Sequence, residues 1–212
     1  MTKFKLKSIE KAILVSLILS FVFPMFKFIN NCESISNKVI RLHILANSDS
    51  EVDQSLKLLV RDKILKSSCL FLDKNDDTIE KAEQKFLDNI EMIKHIAQQE
   101  VYNRGFDYEI NAEMIDNMYF DTRKYDNFTM PSGEYKALRI TIGEGKGKNW
   151  WCVMFPPLCI SAAEDHTEID DILTTSEKDV LNDRYEVKFK IVEYFELIKN
   201  ILYSFMTFYQ ER

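Results

Sequence analysis

The stretch that decides the fold runs from Met130 to Ile160 and reads MPSGEYKALRITIGEGKGKNWWCVMFPPLCI. From Tyr135 to Ile142 it alternates apolar with more polar residues, which is the period of a half-buried strand. Asn149 to Phe155 is aromatic and β-branched and predicts a second strand, ended by two prolines because proline cannot donate to a strand ladder. The glycine-rich GEGKGKN segment between them reads as a turn. The stretch therefore predicts a β-hairpin.

Charge narrows the classes of partner. The chain has 212 residues, enough for one domain, and a formal net charge of −6. Residues 1–30 hold five lysines and one glutamate, so the rest carries −10. Phosphate contacts need clustered Lys and Arg, and we expect no nucleic-acid partner. Nothing in the sequence indicates a cofactor or a small-molecule substrate.

The N-terminus has the pattern of an export signal. Four lysines within the first eleven residues precede the apolar run Ala12–Phe26. As a helix the run spans roughly 22 Å, and an extension to Ile29 spans roughly 27 Å, against about 30 Å for a bilayer core. No Ala-x-Ala cleavage site follows. We expect residues 1–30 to be a signal peptide, or an anchor through residues 12–29, with the rest of the chain outside the cytoplasm.

Four cysteines in an exported chain permit disulfides, with three full pairings. Cys152 and Cys159 flank Pro156-Pro157, and the sequence favours a bridge between them over two free thiols. Cys69 is placed near the end of a helix and reads as a buried small hydrophobe. Cys32 is placed in a flexible stem.

Periodicity predicts a strand and two long helices before the hairpin. The strand is Val39–Ala46, with Ile40, Leu42 and Ile44 toward the core and Arg41 and His43 on the opposite face. The first helix runs from about Glu51 to Phe71, is capped from Asn47-Ser48-Asp49, and buries a stripe that includes Val52 and leaves Lys57 in water. The second runs from Thr78 to about Tyr102 behind an Asp77–Glu80 capping box. Two such helices predict an antiparallel helical hairpin.

The sheet is completed by a strand with one solvated face. Asp107–Ile115 alternates, with its acids facing out, opposite the bases Arg41 and Arg139. An irregular segment follows, from Met118 to Phe128, with a short strand around Tyr119. The fold class is α+β: an antiparallel sheet of about four strands with a helical hairpin on one face, an N-terminal signal or anchor helix and a C-terminal amphipathic helix. The domain spans residues 38–160, followed by an acidic, mobile linker at 161–183 and a helix within 185–212, from Tyr185 to Tyr209.

No catalytic or metal-binding set is predicted. His43, His95 and His166 are isolated, Cys152 and Cys159 have no nearby histidine, and GEGKG links two strands rather than opening a helix. What remains is a set of surface candidates for partner binding. An exposed Trp is a typical interface anchor, and the alternatives are a Trp covered by a helix and ordinary solvated charges. The candidates are Trp150, Trp151, Gly133, Glu134, Tyr135, Arg41, His43 and Arg139.

Two blocks also resemble a known family. PSGEYKALRITIG, NWWCV and FPPLC, together with RLHILANSDS at residues 41–50, resemble the signature of stage II sporulation protein R of endospore-forming bacteria. The resemblance covers roughly residues 38–160 and more weakly the tail from Tyr185. It implies a protein made in the forespore and exported into the space between forespore and mother cell. There it triggers a membrane-embedded aspartic protease that removes the pro-sequence of a mother-cell sigma factor.

The sequence therefore predicts an exported binding protein rather than an enzyme. The resemblance makes the protease the expected partner, and the absence of a clear cleavage site puts free diffusion in doubt. The alternative is an exported or membrane-tethered hydrolase acting on the cell envelope, which needs a catalytic constellation in a cleft. A structural envelope protein is a third possibility that internal repeats would favour.

Overall fold

A computed structural model describes residues 2–70, 72, 78–125, 128–157, 172–182 and 186–210. The chain divides into two compact units. We call Ile35–Phe120 with Glu134–Thr175 the core unit, and Met1–Ser34 with Asp121–Gly133 and Ser176–Arg212 the helical unit. Each is described by itself.

The core unit is a four-stranded sheet with helices from the first half of the chain. Its strands are β1 Ile40–Leu45, β2 Ile110–Phe120, β5 Gly133–Ile142 and β6 Asn149–Phe155, and its helices are α2 Glu51–Ser67, a 3₁₀ turn at Ser68–Leu70, α3 Ile79–Asp88 and α4 Ile90–Asn103. The helical unit holds most of α1 Thr2–Ser36, the short strands β3 Arg123–Lys124 and β4 Thr129–Met130, α5 Thr175–Leu181 and α6 Glu186–Gln210.

The strand order of the main sheet is β2-β5-β1-β6, and this overturns the predicted hairpin. β6 has the predicted bounds and β5 begins two residues before its predicted start, but β1 lies between them, parallel to β5 and antiparallel to β6. The sheet is therefore mixed rather than antiparallel. The prediction of a mixed α and β architecture with four main strands is confirmed.

The connection between β5 and β6 explains why β1 can lie between them. The loop crosses the end of β1, where the amides of Lys146 and Gly147 donate to the carbonyls of Asn47 and Ala46 at 3.1 and 2.9 Å. A Cβ on Gly147 would overlap the carbonyl oxygen of Ser48. The glycines therefore permit a close crossing over a third strand, and a tight turn between neighbours is not formed.

Helix α2 covers one face of the sheet. Ser50 caps it by accepting a hydrogen bond from the Asp53 amide at 3.2 Å, one residue beyond the predicted cap segment. The predicted stripe is wrong at Val52, which is exposed, and Lys57 is buried rather than solvated. Lys57 Nζ donates to the Lys148 carbonyl at 2.8 Å, so its charge is buried with polar partners.

The second predicted helix is broken in two at Asn89. The backbone of Asn89 leaves helical geometry at φ −110° and ψ 12°, and its side-chain amide donates to the Lys85 carbonyl at 2.8 Å. The same carbonyl accepts the backbone amide of Asn89 at 3.1 Å, so the main chain and the side chain of Asn89 together close the end of α3. Thr78 caps α3, whereas Asp77 lies outside the described residues. Helix α4 packs against α2 and β2, and the antiparallel orientation of the helix pair stays a prediction.

Strand β2 is longer than the sequence predicts. It begins at Ile110, three residues after the predicted start, and continues to Phe120, so that the short strand expected around Tyr119 is part of it. Ile110, Ala112 and Met114 join the core cluster with Leu42 and Ile44 of β1, as their alternation predicts. The extension carries Phe120, a fully buried ring, into the sheet.

In the helical unit, α1 continues past the predicted signal segment. Phe28 and Cys32 are buried, so the prediction of a flexible stem at Cys32 is wrong. The Phe28 ring meets the Phe189 ring edge-on at 5.4 Å, and the Asn31 amide donates to the Ser176 carbonyl at 3.3 Å. Residues 8–36 form the one helix in the described part of the chain that is long and apolar enough to cross a membrane, a test that signal sequences also pass.

The C-terminal part of the chain is more structured than predicted. Within the segment expected to be a linker, α5 is helical and buries Glu177 and Val180, while residues 158–171 lie outside the described residues. Helix α6 has nearly the predicted bounds. Its buried apolar side chains among the described residues are Phe189 and Val192, Glu196 is also buried, and Ile198 is exposed.

Candidate functional site

Three of the predicted site residues lie in one row across the main sheet. The register sets His43 of β1 beside Arg139 of β5 and Trp151 of β6. The odd-numbered residues of β1 point away from the face that α2 and α4 cover, because Leu42 and Ile44 occupy that face. The alternation therefore correctly places Arg41, His43 and Arg139 on the same side.

Aromatic rings surround Arg41 on this side. Its guanidinium carbon lies 4.1 Å from the ring centre of Phe120, 5.1 Å from Tyr135 and 5.8 Å from Trp151. Cations at such distances are attracted by the ring faces. The rings also contact each other, with the Phe120 and Trp151 centres 5.3 Å apart. We call Arg41, His43, Phe120, Tyr135 and Trp151 the cation–aromatic cluster.

The cluster is buried, which corrects the prediction of a solvated polar face. Arg41 is 0 % exposed, His43 4 % and Tyr135 1 %. Phe120 contributes to this burial and was missed, because it lies beyond the residue at which the sequence ends its strand. Alternation could not have placed it, because Phe120 has the parity of Ile110 and Met114 but contacts the side of the sheet opposite to theirs.

His43 is held neutral by its surroundings. Burial, the charge of Arg139 and the charge of Arg41, in that order, lower its pKa from 6.5 to about 4. Neither ring nitrogen has a hydrogen-bond partner among the described residues. A neutral, enclosed imidazole is poorly placed to exchange protons with a substrate, so the geometry favours a packing role over general acid–base chemistry.

Opposite charges pair across β2 and β5. Arg139 Nε lies 3.8 Å from Glu113 Oε1, which confirms the predicted complementarity at this position. Lys136 Nζ bridges Asp116 at 3.0 Å and Glu83 of α3 at 2.6 Å. Arg41, the other base expected to face these acids, is enclosed by rings instead. Exposed pairs of this kind contribute little to stability but favour one strand register.

The two tryptophans point to opposite sides, as adjacent strand residues should, but neither is fully exposed. Trp150 packs on the core cluster, and the Arg61 guanidinium carbon lies 4.4 Å above its ring. Trp151 belongs to the cation–aromatic cluster. Of the other candidates, Gly133 is buried and Glu134 is exposed. Both tryptophans are half-buried, so whether one of them is an interface anchor stays a prediction.

A polar cluster that the sequence did not predict ties the ends of β1 and β6 to α2. The Asp53 carboxylate accepts hydrogen bonds from Asn47 Nδ2 at 2.9 Å and Ser48 Oγ at 2.6 Å. Burial raises the pKa of Asp53, but hydrogen bonds from Ser48, Asn47, Tyr108 and Ser50 outweigh it and keep that pKa below 3.8. Asp49 Oδ1 accepts from the Lys148 amide at 2.7 Å. ANSDS thus holds the crossing loop in place and offers no open ligand site.

Not all of the cysteines lie within the described residues. Cys152 is buried, and Cys159 lies outside the described residues, so the Cys152–Cys159 bridge stays a prediction. Cys32 is buried and is not in a disulfide. Within the described residues no group of three His, Cys, Asp or Glu side chains is arranged to hold a metal ion.

Comparison with known proteins gives two matches and one negative result. The family model for stage II sporulation protein R matches residues 36–165, which include all four strands of the main sheet. The stage II sporulation protein R of Bacillus subtilis (strain 168) is 36 % identical over 183 residues, covering 76 % of this chain and 81 % of that protein. No solved structure matches.

Proposed function

The chain belongs to the stage II sporulation protein R family, and on that premise we propose that it is an exported sporulation signal that activates a membrane-embedded aspartic protease. The activated protease would process the inactive precursor of a mother-cell sigma factor. The observation that carries the proposal is the family match, which spans the sheet, its crossing loop and the cation–aromatic cluster together.

The N-terminal helix supports the proposed location. Lysines precede an apolar run in α1 that is long enough to enter a membrane. We propose export across the forespore membrane into the intermembrane space, with α1 serving as the signal or as an anchor. The burial of Phe28 and Cys32 favours an anchor, because cleavage before them would remove side chains that pack in the helical unit.

A binding role agrees with the chemistry of the described residues. His43 is enclosed and neutral, and the ANSDS cluster uses its carboxylates to hold backbone and side-chain donors. For the contact with the protease we propose the sheet region that begins at the exposed Glu134 and includes the half-exposed Arg139 and Trp151. Arg41, Gly133 and Tyr135 are too deeply buried for direct contact and would shape this surface from beneath.

The proposal is tested by replacing the resident protein R of a sporulating strain with this chain. Immunoblots should show the mature sigma factor, and deletion of the protease should abolish it. A matched variant, Leu17→Arg with Leu19→Arg, breaks the apolar run without touching the core unit. It should stay in the producing cell and leave the precursor intact. The proposal is wrong if the precursor is processed without the protease, or stays uncleaved beside folded, exported chain.

A further inference from the structure

Helix α6 presents a stripe of exposed apolar side chains. Tyr194 is 65 % exposed, Leu197 55 %, Ile198 58 % and Ile201 56 %. Their spacing of three and four residues puts them on one side of the helix. Phe189 and Val192 are buried, so α6 already packs within the helical unit. A further apolar stripe of this size marks an interaction surface.

The start of α6 lies beside the end of the apolar run in α1. Phe189 contacts Phe28, and Lys188 Nζ lies 5.4 Å from the centre of the Phe28 ring. Lys27 directly precedes Phe28, is exposed, and ends the run Ala12–Phe26. If this run enters a bilayer, α6 therefore begins at the polar boundary of that bilayer. The stripe starts five residues after Phe189, about 8 Å further along the helix axis.

The two acidic residues nearest the stripe, Glu193 and Glu196, do not oppose a lipid surface. Glu193 pairs with Lys190 at 2.5 Å, and Glu196 is buried and pairs with Lys199 at 3.4 Å. The stripe itself contains no carboxylate. It opens with Tyr194, a residue type enriched at membrane interfaces because its ring is apolar and its hydroxyl is polar.

We propose that α6 lies on the membrane surface next to α1, with Tyr194, Leu197, Ile198 and Ile201 turned toward the boundary between headgroups and acyl chains. Helices with one apolar side and paired charges on the other bind membranes in this way. Lipid is the occupant favoured over a protein because α1 and α6 belong to one unit and touch where the apolar run ends. The inference rests on the proposed membrane placement of α1.

Site-specific photocrosslinking of the full chain tests the inference. The photoreactive amino acid p-benzoylphenylalanine replaces Ile198 in one variant, Leu17 in a second and Val52 in a third. Val52 is a matched control because it is an exposed apolar residue, at 59 %, on a helix of the core unit. Each variant is reconstituted in vesicles of equal parts phosphatidylethanolamine and phosphatidylglycerol and irradiated. Lipid adducts are then quantified by mass spectrometry.

Lipid adducts at positions 198 and 17, several-fold above those at position 52, are the expected result. Adducts at 17 without adducts at 198 would overturn the inference while leaving the membrane placement of α1 intact. Adducts at neither position would reject both. Crosslinks from position 198 to a second copy of the chain, or within it, would show that a protein surface covers the stripe and would also overturn the inference.

Discussion

Arg41 is fully buried, and its guanidinium lies against three aromatic rings. Burying a cation costs several kcal/mol, and each favourable ring contact returns about 2 kcal/mol when water is excluded. Alternation in β1 predicted which side Arg41 occupies. It did not predict burial, because the ring at 4.1 Å comes from the far end of β2 and arrives through the strand order.

His43 makes the stability of the core unit depend on pH. Its folded pKa of about 4 lies below its unfolded value of 6.5, so between these values the unfolded chain binds a proton that the folded chain does not. The free energy of unfolding should therefore fall as pH drops through this window, by about 3 kcal/mol in total. The charged groups facing the ring are Arg41 and Arg139, with Glu113 beyond Arg139.

Urea unfolding of the wild type and of His43→Leu at a series of pH values measures this effect. Leucine cannot titrate. The free energy of unfolding of the wild type should therefore fall relative to that of His43→Leu as pH drops from 6.5 toward 4. Other carboxylates titrate in both proteins and cancel. His95→Gln, an exposed position on α4, is the matched control and should follow the wild type. Parallel curves for the wild type and His43→Leu would contradict the assignment.

At the scale of elements, periodicity predicted the strands and their faces but not their neighbours. β5 and β6 were located to the residue, apart from the start of β5, because alternation and the proline pair are local signals. The insertion of β1 between them depends on hydrogen bonds between the crossing loop and residues about a hundred positions earlier. The break at Asn89 was missed because helical periodicity continues on both sides of it.

Gly147 should be the most sensitive glycine of the crossing loop. A methyl group there would overlap the Ser48 carbonyl, which is backbone and cannot turn aside. We expect Gly147→Ala to lower the free energy of unfolding by more than about 2 kcal/mol. Gly105→Ala is the control, since a Cβ there would meet nothing within 4 Å. Its only cost is the left-handed backbone at φ +82°, which should lower the free energy of unfolding by about 1 kcal/mol. Equal losses in urea unfolding would show that the crossing is loose.

The predicted bridge would close the segment that follows β6. In the chain-entropy account, a loop of about eight residues between Cys152 and Cys159 stabilises the fold by roughly 2.5 kcal/mol. Mass spectrometry of the unreduced exported protein should find the two cysteines joined. Cys32, which is buried and not in a disulfide, should be alkylated only after unfolding. Alkylation of both Cys152 and Cys159 in the folded protein, or a Cys69–Cys152 peptide, would reject the pairing.

At the scale of the whole molecule, the sequence blocks that resemble the family signature form the framework of the core unit rather than an exposed site. RLHILANSDS supplies most of β1 and the cap of α2, PSGEYKALRITIG supplies β5, and NWWCV supplies most of β6. Sequence reasoning therefore found the right blocks but assigned buried residues such as Arg41 and Tyr135 to a surface. Residue type alone cannot separate a buried cation among rings from a solvated one, because the difference is made by neighbours distant in sequence.

The exposed start of β5 gives the sharpest test of the proposed contact with the protease. Glu134 is exposed at the start of β5, and its side chain is free to meet a protease surface. Reversing its charge with Glu134→Arg should reduce sigma-factor processing at least several-fold, because like charges across an interface cost several kcal/mol.

The matched control is Glu109→Arg. Glu109 is also an exposed acid, just before β2, so this variant makes the same charge change elsewhere on the core unit. Both variants are first checked for export and for protease resistance, and cleaved sigma factor is then quantified by immunoblot. Equal processing by the two folded variants would move the contact away from Glu134. Trp150→Ala and Trp151→Ala are weaker probes of the contact, since each removes packing that the core unit itself uses.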